Sequence, residues 1–199
     1  MKFTITIGLL FIIIYSTNAF SHVEIAPTSE YDVDRNNSSL KWIGYHLGKS
    51  YEHWGNIKIK SGFLDIQDDE IHSGSIVIDM KSITVGDVEK AESNKKLVDH
   101  LKSEEFFFTK KHSTAMLSIK ESDLSESGGS TLIADITIRG ITKEISFDVF
   151  LKDQTDSQFI FVAEIIIDRS AHEVLYGWSI DNAMISGEFK LEAEIVVKK

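Results

Sequence analysis

The 199-residue chain contains no cysteine. Disulfide bonds, thiolate nucleophiles and cysteine-bound metals are therefore excluded, and no lipid can be attached to an N-terminal cysteine. Positive charge is also scarce, with 21 Lys and Arg against 31 Asp and Glu, a formal net charge of −10. This balance argues against nucleic acid or an anionic membrane surface as the partner.

Motifs for metal binding and catalysis are lacking as well. None of the seven histidines pairs at HxH or HxxxH spacing, and no HExxH occurs. The Ser- and Gly-rich segment 125–130 lacks the strand–turn–helix context of a nucleophile elbow. Asp168 and Arg169, near Tyr176, could act as an acid–base pair, but such a pair more often closes a turn. We therefore assign no catalytic residue, metal ligand or cofactor.

The chain has a single long apolar run, residues 5–15, which follows Lys2 and precedes small residues at positions 17–19. This pattern predicts a secretory signal peptide over residues 1–19, with cleavage after Ser21 as an alternative. The run is too short to cross a bilayer, although a retained membrane anchor is the competing interpretation. Residues 20–199 then form a single secreted domain without stable membrane insertion, and its net charge becomes −11 because Lys2 is removed.

Period-two alternation dominates this domain and predicts half-buried strands. Short polar and Gly-containing links between them indicate antiparallel, up-and-down order, and about eight such strands close most economically as a barrel. The residues expected to face inward are Leu40, Trp42 and Gly44; Ile57 and Ile59; Ile76, Ile78 and Met80; Ala115, Leu117 and Ile119; Leu132, Ala134, Ile136 and Ile138; Ile145, Phe147, Val149 and Leu151; and Phe189, Leu191, Ala193 and Ile195.

Two segments depart from this alternation. Apolar residues at three- and four-residue spacing predict one helix over about 93–103, with Ser93 as N-cap, between the fourth and fifth strands. Residues 157–168 are apolar on both faces, so we expect that strand to be covered on its outer side too.

An eight-stranded barrel either fills with side chains or holds one small ligand. The predicted inward positions mix small residues (Gly44, Ala115, Ala134, Ala163, Ala193) with aromatic ones (Trp42, Phe147, Phe161, Phe189). This mixture fits a hollow barrel and a tapered solid core equally well.

Three consecutive phenylalanines follow the helix. Alternation predicts that Phe106 and Phe108 face the barrel mouth while Phe107 packs under the helix. The alternative is that all three wedge the helix against the barrel without touching a ligand. Burial of some kind is expected, because soluble proteins rarely expose large apolar patches.

Six stretches together resemble the YceI-like family: YDVD (31–34), HWGNIKIKSGFLDI (53–66), GSIVIDMKSITV (74–85), HLKSEEFFFTKKH (100–112), ADITIRGITKEISFDV (134–149) and IDRSAHEVLYGW (167–178). The resemblance implies a lipocalin-like barrel with an inserted helix, a bound polyisoprenoid or quinone-like lipid, a periplasmic location and no catalytic residues. The chain departs from the family at Ser113, where Pro is usual, and in the compressed loop 178–183.

Together these observations predict an all-β, eight-stranded antiparallel barrel that carries a long isoprenoid-like lipid without catalysis. A periplasmic enzyme acting on a small molecule and a stress or interaction module with a filled barrel remain as alternatives, and a homodimer stays open. His46 and His53 flank a loop between two strands and suit a polar role at the mouth. The predicted ligand-binding residues are Trp42, His46, Ile57, Ile59, Ile78, Leu101, Phe106, Phe108, Leu117, Ile136, Phe147, Phe161 and Leu191.

Overall fold

The computed structural model describes residues 29–46, 51–124, 129–175 and 185–199. Within them lie nine strands, one α-helix and two short 3-10 helices. The strands are β1 (Ser29–Val33), β2 (Ser39–His46), β3 (Glu52–Gln67), β4 (Glu70–Asp79), β5 (Thr114–Leu124), β6 (Ser130–Ile138), β7 (Ile141–Thr155), β8 (Gln158–Asp168) and β9 (Ile185–Lys198). Helix α1 spans Ala91–Lys102, and the 3-10 helices are Met80–Ser82 and Ser170–His172. The predicted signal peptide lies outside the described residues.

The strands form one closed antiparallel sheet. Around the barrel the order is β3, β2, β9, β8, β7, β6, β5 and β4, and β4 pairs again with β3. β1 also pairs with β3 and β9, so β1 and β2 share one position in the wall, separated by the turn at residues 34–38. The nine strands thus occupy eight positions, which confirms the predicted eight-stranded antiparallel barrel with one helix between β4 and β5.

Burial follows the predicted alternation. In β6 every second residue from Ser130 to Ile138 is buried, and in β3 Ile57 and Ile59 are buried while Lys58 and Lys60 are exposed. The exception is Leu151, which is 40% exposed. Leu151 pairs with Phe161 at the point where the ladder with β8 becomes irregular, since a register shift follows between Leu151 and Asp153.

Charged side chains cover much of the outer face. Lys41 of β2 contacts Glu192 of β9 at 3.2 Å, and Lys190 contacts both Glu192 at 2.7 Å and Glu164 of β8 at 3.2 Å. These hydrogen bonds, chiefly the one to Glu192, raise the pKa of Lys190. The expected outer cover of β8 is wrong at Ile166, which is 51% exposed, whereas Ile160 and Val162 on the same face are half-buried.

Residues 82–86 run along β3 where β4 has ended. The backbone amides of Thr84 and Gly86 donate to the carbonyls of Asn56 and Trp54, at 2.9 and 2.8 Å. The Trp42 indole also reaches this segment and donates to the Thr84 carbonyl at 2.9 Å. A Cβ at Gly55 would lie 1.8 Å from that same carbonyl oxygen, so only glycine permits this approach.

Helix α1 begins earlier than predicted. It starts at Ala91 rather than near residue 93, and Ser93 lies inside the first turn instead of at the N-cap. Lys90 occupies the N-cap position without a side-chain cap. The Asn94 side chain instead donates to the carbonyls of Val85 and Val88, at 3.1 and 3.0 Å, which ties the first turn to the preceding segment. The start of the helix is therefore determined by this tertiary contact rather than by a local N-cap.

The helix covers one end of the barrel, which we call the helix end. Leu101 is buried in the core, and Val88, Leu97 and Val98 pack against that core. The opposite end, where β3 joins β4 and β7 joins β8, is called the far end. No helix among the described residues is long and apolar enough to cross a bilayer.

The second 3-10 helix, Ser170–His172, follows β8 in the chain and contacts the start of β7. Asp168 Oδ1 accepts hydrogen bonds from the Ser170 amide at 2.8 Å and the Ala171 amide at 3.3 Å. His172 is only 1% exposed, and its Nδ1 lies 3.0 Å from the Ile141 carbonyl. Burial lowers the pKa of His172 below its usual value, more than the hydrogen bond to Ile141 raises it.

We expect Gly55→Ala to destabilise the protein by about 1–3 kcal/mol, the usual cost of overpacking, because backbone must move away from the new methyl group. Gly187→Ala is the matched control, since a Cβ there meets nothing within 4 Å. Urea unfolding would measure both free energies, and equal stability of the two variants would contradict the close approach.

We also expect stability to fall as the pH drops below about 6.5, because the unfolded chain then takes up a proton that the neutral, buried His172 resists. His100 and His112, whose pKa values are also lowered chiefly by burial, act in the same direction. One such proton corresponds to a slope of at most about 1.4 kcal/mol per pH unit. Asp34, Asp168 and Glu192 have lowered pKa values and add a separate loss only at more acidic pH.

The measurement is urea unfolding between pH 7 and 5. His172→Gln should flatten the dependence, whereas His72→Gln, at an exposed position, should not. An unchanged slope in His172→Gln would contradict the assignment.

Candidate functional site

The barrel interior contains two cavities. The helix-end cavity holds about 700 Å³ of space free of protein atoms, including the part open to solvent. The far cavity holds about 610 Å³ on the same measure. Ile78, Ile136 and Leu191 line both, so the cavities adjoin along the barrel axis.

Small residues make this space. Gly44 and Ala115 line the helix-end cavity, and Ala163 and Ala193 line the far cavity. A Cβ at Gly44 would meet only the Trp42 ring, at 3.8 Å, so the barrel has room at this position. Of the two interpretations left open by the sequence, the described residues therefore favour a hollow barrel over a filled one.

The lining is apolar except at the helix end, where Arg169, Ser186 and Glu188 border the cavity. Arg169 is buried and donates to the carbonyls of Val174 at 2.7 Å, Ser186 at 2.7 Å and Ile185 at 3.2 Å. Burial lowers its pKa. Arg169 thus binds backbone carbonyls and Asp168 accepts amides of the following 3-10 helix, which are the contacts expected of a pair that closes a turn.

The three phenylalanines lie in a turn, not in a strand. The amide of Phe108 donates to the Ser103 carbonyl at 2.7 Å, and Phe108 itself has a φ of 46°. Residues 103–112 therefore do not alternate, and the predicted orientations of Phe107 and Phe108 are wrong. Phe106 and Phe107 line the helix-end cavity with their rings 4.9 Å apart, while Phe108 packs against His112.

Arg139 holds this turn in place. Its guanidinium donates to the carbonyls of Glu104, at 2.8 Å, and Phe106. Arg139 lies in the tight turn between β6 and β7 with a φ of 54°, next to Gly140 with a φ of 78°. The barrel wall thus positions the aromatic residues at the cavity's end.

Ten of the thirteen predicted ligand-binding residues line one or both cavities; they are Trp42, Ile57, Ile78, Leu101, Phe106, Leu117, Ile136, Phe147, Phe161 and Leu191. The other three line neither. Ile59 is buried in the core, Phe108 lies outside the cavities, and His46 faces Tyr51, with ring centroids 5.1 Å apart.

Several lining residues were not among the thirteen. Met80, Ala115 and Ile138 follow the same period-two alternation, so the signal for them was present in the sequence. Ile83, Phe107 and Arg169 lie in turns or at strand ends, where alternation carries no information.

A polar cluster at the helix end surrounds His53. Its Nδ1 lies 2.6 Å from Asp87 Oδ2 and 3.5 Å from the Tyr51 hydroxyl. Asp87 Oδ1 also accepts the Trp54 amide at 3.1 Å, so the cluster fastens the segment before α1 to β3. In the part of the chain that the structure describes, no three His, Asp or Glu residues are placed to hold a metal ion.

Solved structures share this fold. BcnA from Burkholderia cenocepacia is 18% identical with a TM-score of 0.70, covering 82% of this chain and 98% of that chain. A polyisoprenoid binding domain from Saccharophagus degradans, implicated in plant cell wall breakdown, is 14% identical with a TM-score of 0.61, covering 84% and 97%. The YceI protein of Campylobacter jejuni is 18% identical with a TM-score of 0.54, covering 65% and 74%. At these identities the likeness establishes the fold alone.

Among curated proteins, a sequence search finds no match. The model of the YceI-like domain, however, matches residues 31–197, which run from β1 to β9. The match therefore covers the whole barrel, including both cavities and helix α1. The chain belongs to the YceI-like family.

Proposed function

We propose that this protein binds a long, isoprenoid-like lipid along the barrel axis and carries or sequesters it in the periplasm without catalysis. The observation that supports this most is the pair of adjoining apolar cavities that share Ile78, Ile136 and Leu191. The similar Saccharophagus degradans domain is described as polyisoprenoid binding, which points to the same ligand class.

The physical chemistry of the lining suits such a ligand. Each methylene group removed from water contributes roughly 0.8 kcal/mol, so a long apolar chain needs few polar contacts to bind. Polar side chains border only the helix-end cavity, at Arg169, Ser186 and Glu188. The head group therefore lies at the helix end, and the tail extends past Leu191 into the far cavity.

The alternatives have less support. A filled barrel would lack the two cavities. An enzyme would need a nucleophile or a general base facing the substrate, whereas Arg169 is engaged by backbone carbonyls and the far cavity is lined by apolar residues alone. The His53–Asp87 pair lines neither cavity.

A periplasmic role requires export. We expect protein recovered from the periplasm to begin at Phe20 or within a few residues of it, as N-terminal sequencing would determine. Recovery of protein that still begins at Met1 would contradict export through a cleaved leader.

The lipid should be detectable directly. Native mass spectrometry of protein purified from its own host should show an added mass that disappears on solvent extraction, and the extract should contain an isoprenoid-like lipid. Extracted protein offered long-chain polyprenol should regain a mass equal to one ligand. Failure to bind any apolar chain would overturn the proposal.

Filling the cavity should separate binding from stability. Ala115→Leu projects into the helix-end cavity, so we expect polyprenol loading to fall at least tenfold while the melting temperature holds or rises. Met116→Leu, on the exposed outer face of the same strand, is the matched control and should leave loading unchanged. Unchanged loading in Ala115→Leu would contradict the proposed position of the ligand.

Substitutions in the phenylalanine turn provide a second way to separate ligand binding from stability. Phe106 lines the cavity and Phe108 does not, so Phe106→Ala should lower polyprenol affinity more than Phe108→Ala does. Calorimetric titration would compare the two variants, with melting temperatures as the check on folding. A larger loss of affinity for Phe108→Ala would place the ligand elsewhere.

A further inference from the structure

The barrel wall contains a seam between β7 and β8. These strands pair only from Val149–Ala163 to Thr155–Gln158, near the far end. Toward the helix end, residues 141–148 of β7 pair with β6 alone, and residues 164–168 of β8 pair with β9 alone. Among the described residues no ladder joins these two stretches, and side chains alone close the wall there.

The seam is bounded at both ends. Hydrogen-bonded pairing resumes at Val149 and Ala163, and His172 reaches the Ile141 carbonyl at the other end. Between these points β7 stays paired with β6, and Lys143 lies within that ladder. It is paired with Ile136, an inward-facing residue, yet Lys143 itself is exposed. The seam is therefore a closed-ended slot rather than a frayed strand terminus.

Cavity space lies on both sides of the seam's far end. Inside, Phe147, Ala163 and Ile165 line the far cavity. Outside, a groove of about 1230 Å³, including its open part, is bordered by Phe150 of β7 and by Ala163 of β8, together with the charged residues Lys41, Asp148, Glu164, Glu192 and Glu194. Val162 and Ala163 border both spaces, so the wall that separates them is a single strand thick and includes one of the smallest side chains.

Both apolar and charged side chains lie along the seam. Ile167 and Ile165 are 0% and 6% exposed on the inside, whereas Ile166 and Phe150 are 51% and 37% exposed on the outside. Lys143, Glu144, Glu164 and Asp168 are exposed on the same two stretches. A lipid chain crossing at the seam would contact Ile166 and Phe150 outside and Ile165 inside.

We propose that the lipid chain enters and leaves the far cavity sideways through the β7–β8 seam, from the outer groove. This inference rests on the proposed function. Entry at the helix end would require Leu101, Phe106 and Phe107 to move, together with a helix that Asn94 fastens to the preceding segment. Opening the seam breaks side-chain contacts but no hydrogen-bonded ladder.

The absence of cysteine makes a direct test feasible. Continuing the Val149–Ala163 register places Ser146 opposite Ile166, both exposed. Ser146→Cys with Ile166→Cys, joined by a short bismaleimide, should lock the seam. Thr137→Cys with Thr142→Cys is the matched control, because those residues already face each other across the paired β6–β7 ladder.

The measurement is the rate of uptake and release of a fluorescent polyprenol analogue, with equilibrium loading followed by native mass spectrometry. Locking the seam should slow both uptake and release at least tenfold and leave equilibrium loading unchanged, because a route affects rates and not the bound state. The locked β6–β7 control should keep the rates of the unmodified protein. Equal rates for the two locked proteins, fast or slow, would overturn the route.

A second pair of variants requires no cross-link. Ile166→Glu places a charge at the exposed lip of the seam and should slow uptake several-fold, whereas Met116→Glu, on the exposed outer face of β5, should not. Equal effects of the two substitutions would also overturn the route. Failure of the unmodified protein to bind polyprenol would instead reject the proposed function, so the two failures are distinguishable.

Discussion

The ladder between β2 and β9 joins the two ends of the folded chain, and the closed barrel depends on it. Trp42 pairs with Leu191 and Gly44 with Phe189, while Lys41 meets Glu192 on the outside. Closure fixes the number of strands around the axis and hence the radius of the barrel. With the radius fixed, the volume of the inward side chains alone decides whether space remains inside.

This constraint explains why four small residues matter more than the aromatic ones. Gly44 and Ala115 lie at the helix end, and Ala163 and Ala193 lie in the far half, so each cavity has two of them. A wall that is held by hydrogen-bonded ladders around most of its circumference cannot readily collapse inward to fill such gaps. In an open sheet or a helical bundle, whole elements could move together and fill the space beside such small residues.

Much of the barrel could be predicted because strand pairing and side-chain burial both repeat every two residues. Eight of the thirteen predicted residues are strand residues that line a cavity for this reason, since every second residue of a strand must face the same way. Phe107 and Phe108 were misplaced because residues 103–112 form a turn, in which direction depends on each φ and ψ rather than on parity. Closeness in sequence to a strand is not evidence of strand geometry.

Contacts between segments that are distant in sequence determine the remaining features. No local sequence pattern predicts these contacts. Gly55 is required by the Thr84 carbonyl, and the start of α1 is set by Asn94 binding Val85 and Val88. The sharing of one wall position by β1 and β2 follows from pairing with β3 and β9. Each of these depends on a partner whose position is known only once the barrel has closed.

The outer face of β8 was misjudged for a more informative reason. An apolar pattern on both faces of a strand says that both faces favour apolar surroundings, but it does not say that protein supplies them. Ile166 and Phe150 stay exposed, and they lie beside the stretch where β7 and β8 share no ladder. A barrel that holds a lipid permanently would gain stability from a continuous ladder there. A barrel that must exchange its lipid needs one place where the wall opens at low energetic cost, and a seam without a ladder meets that need.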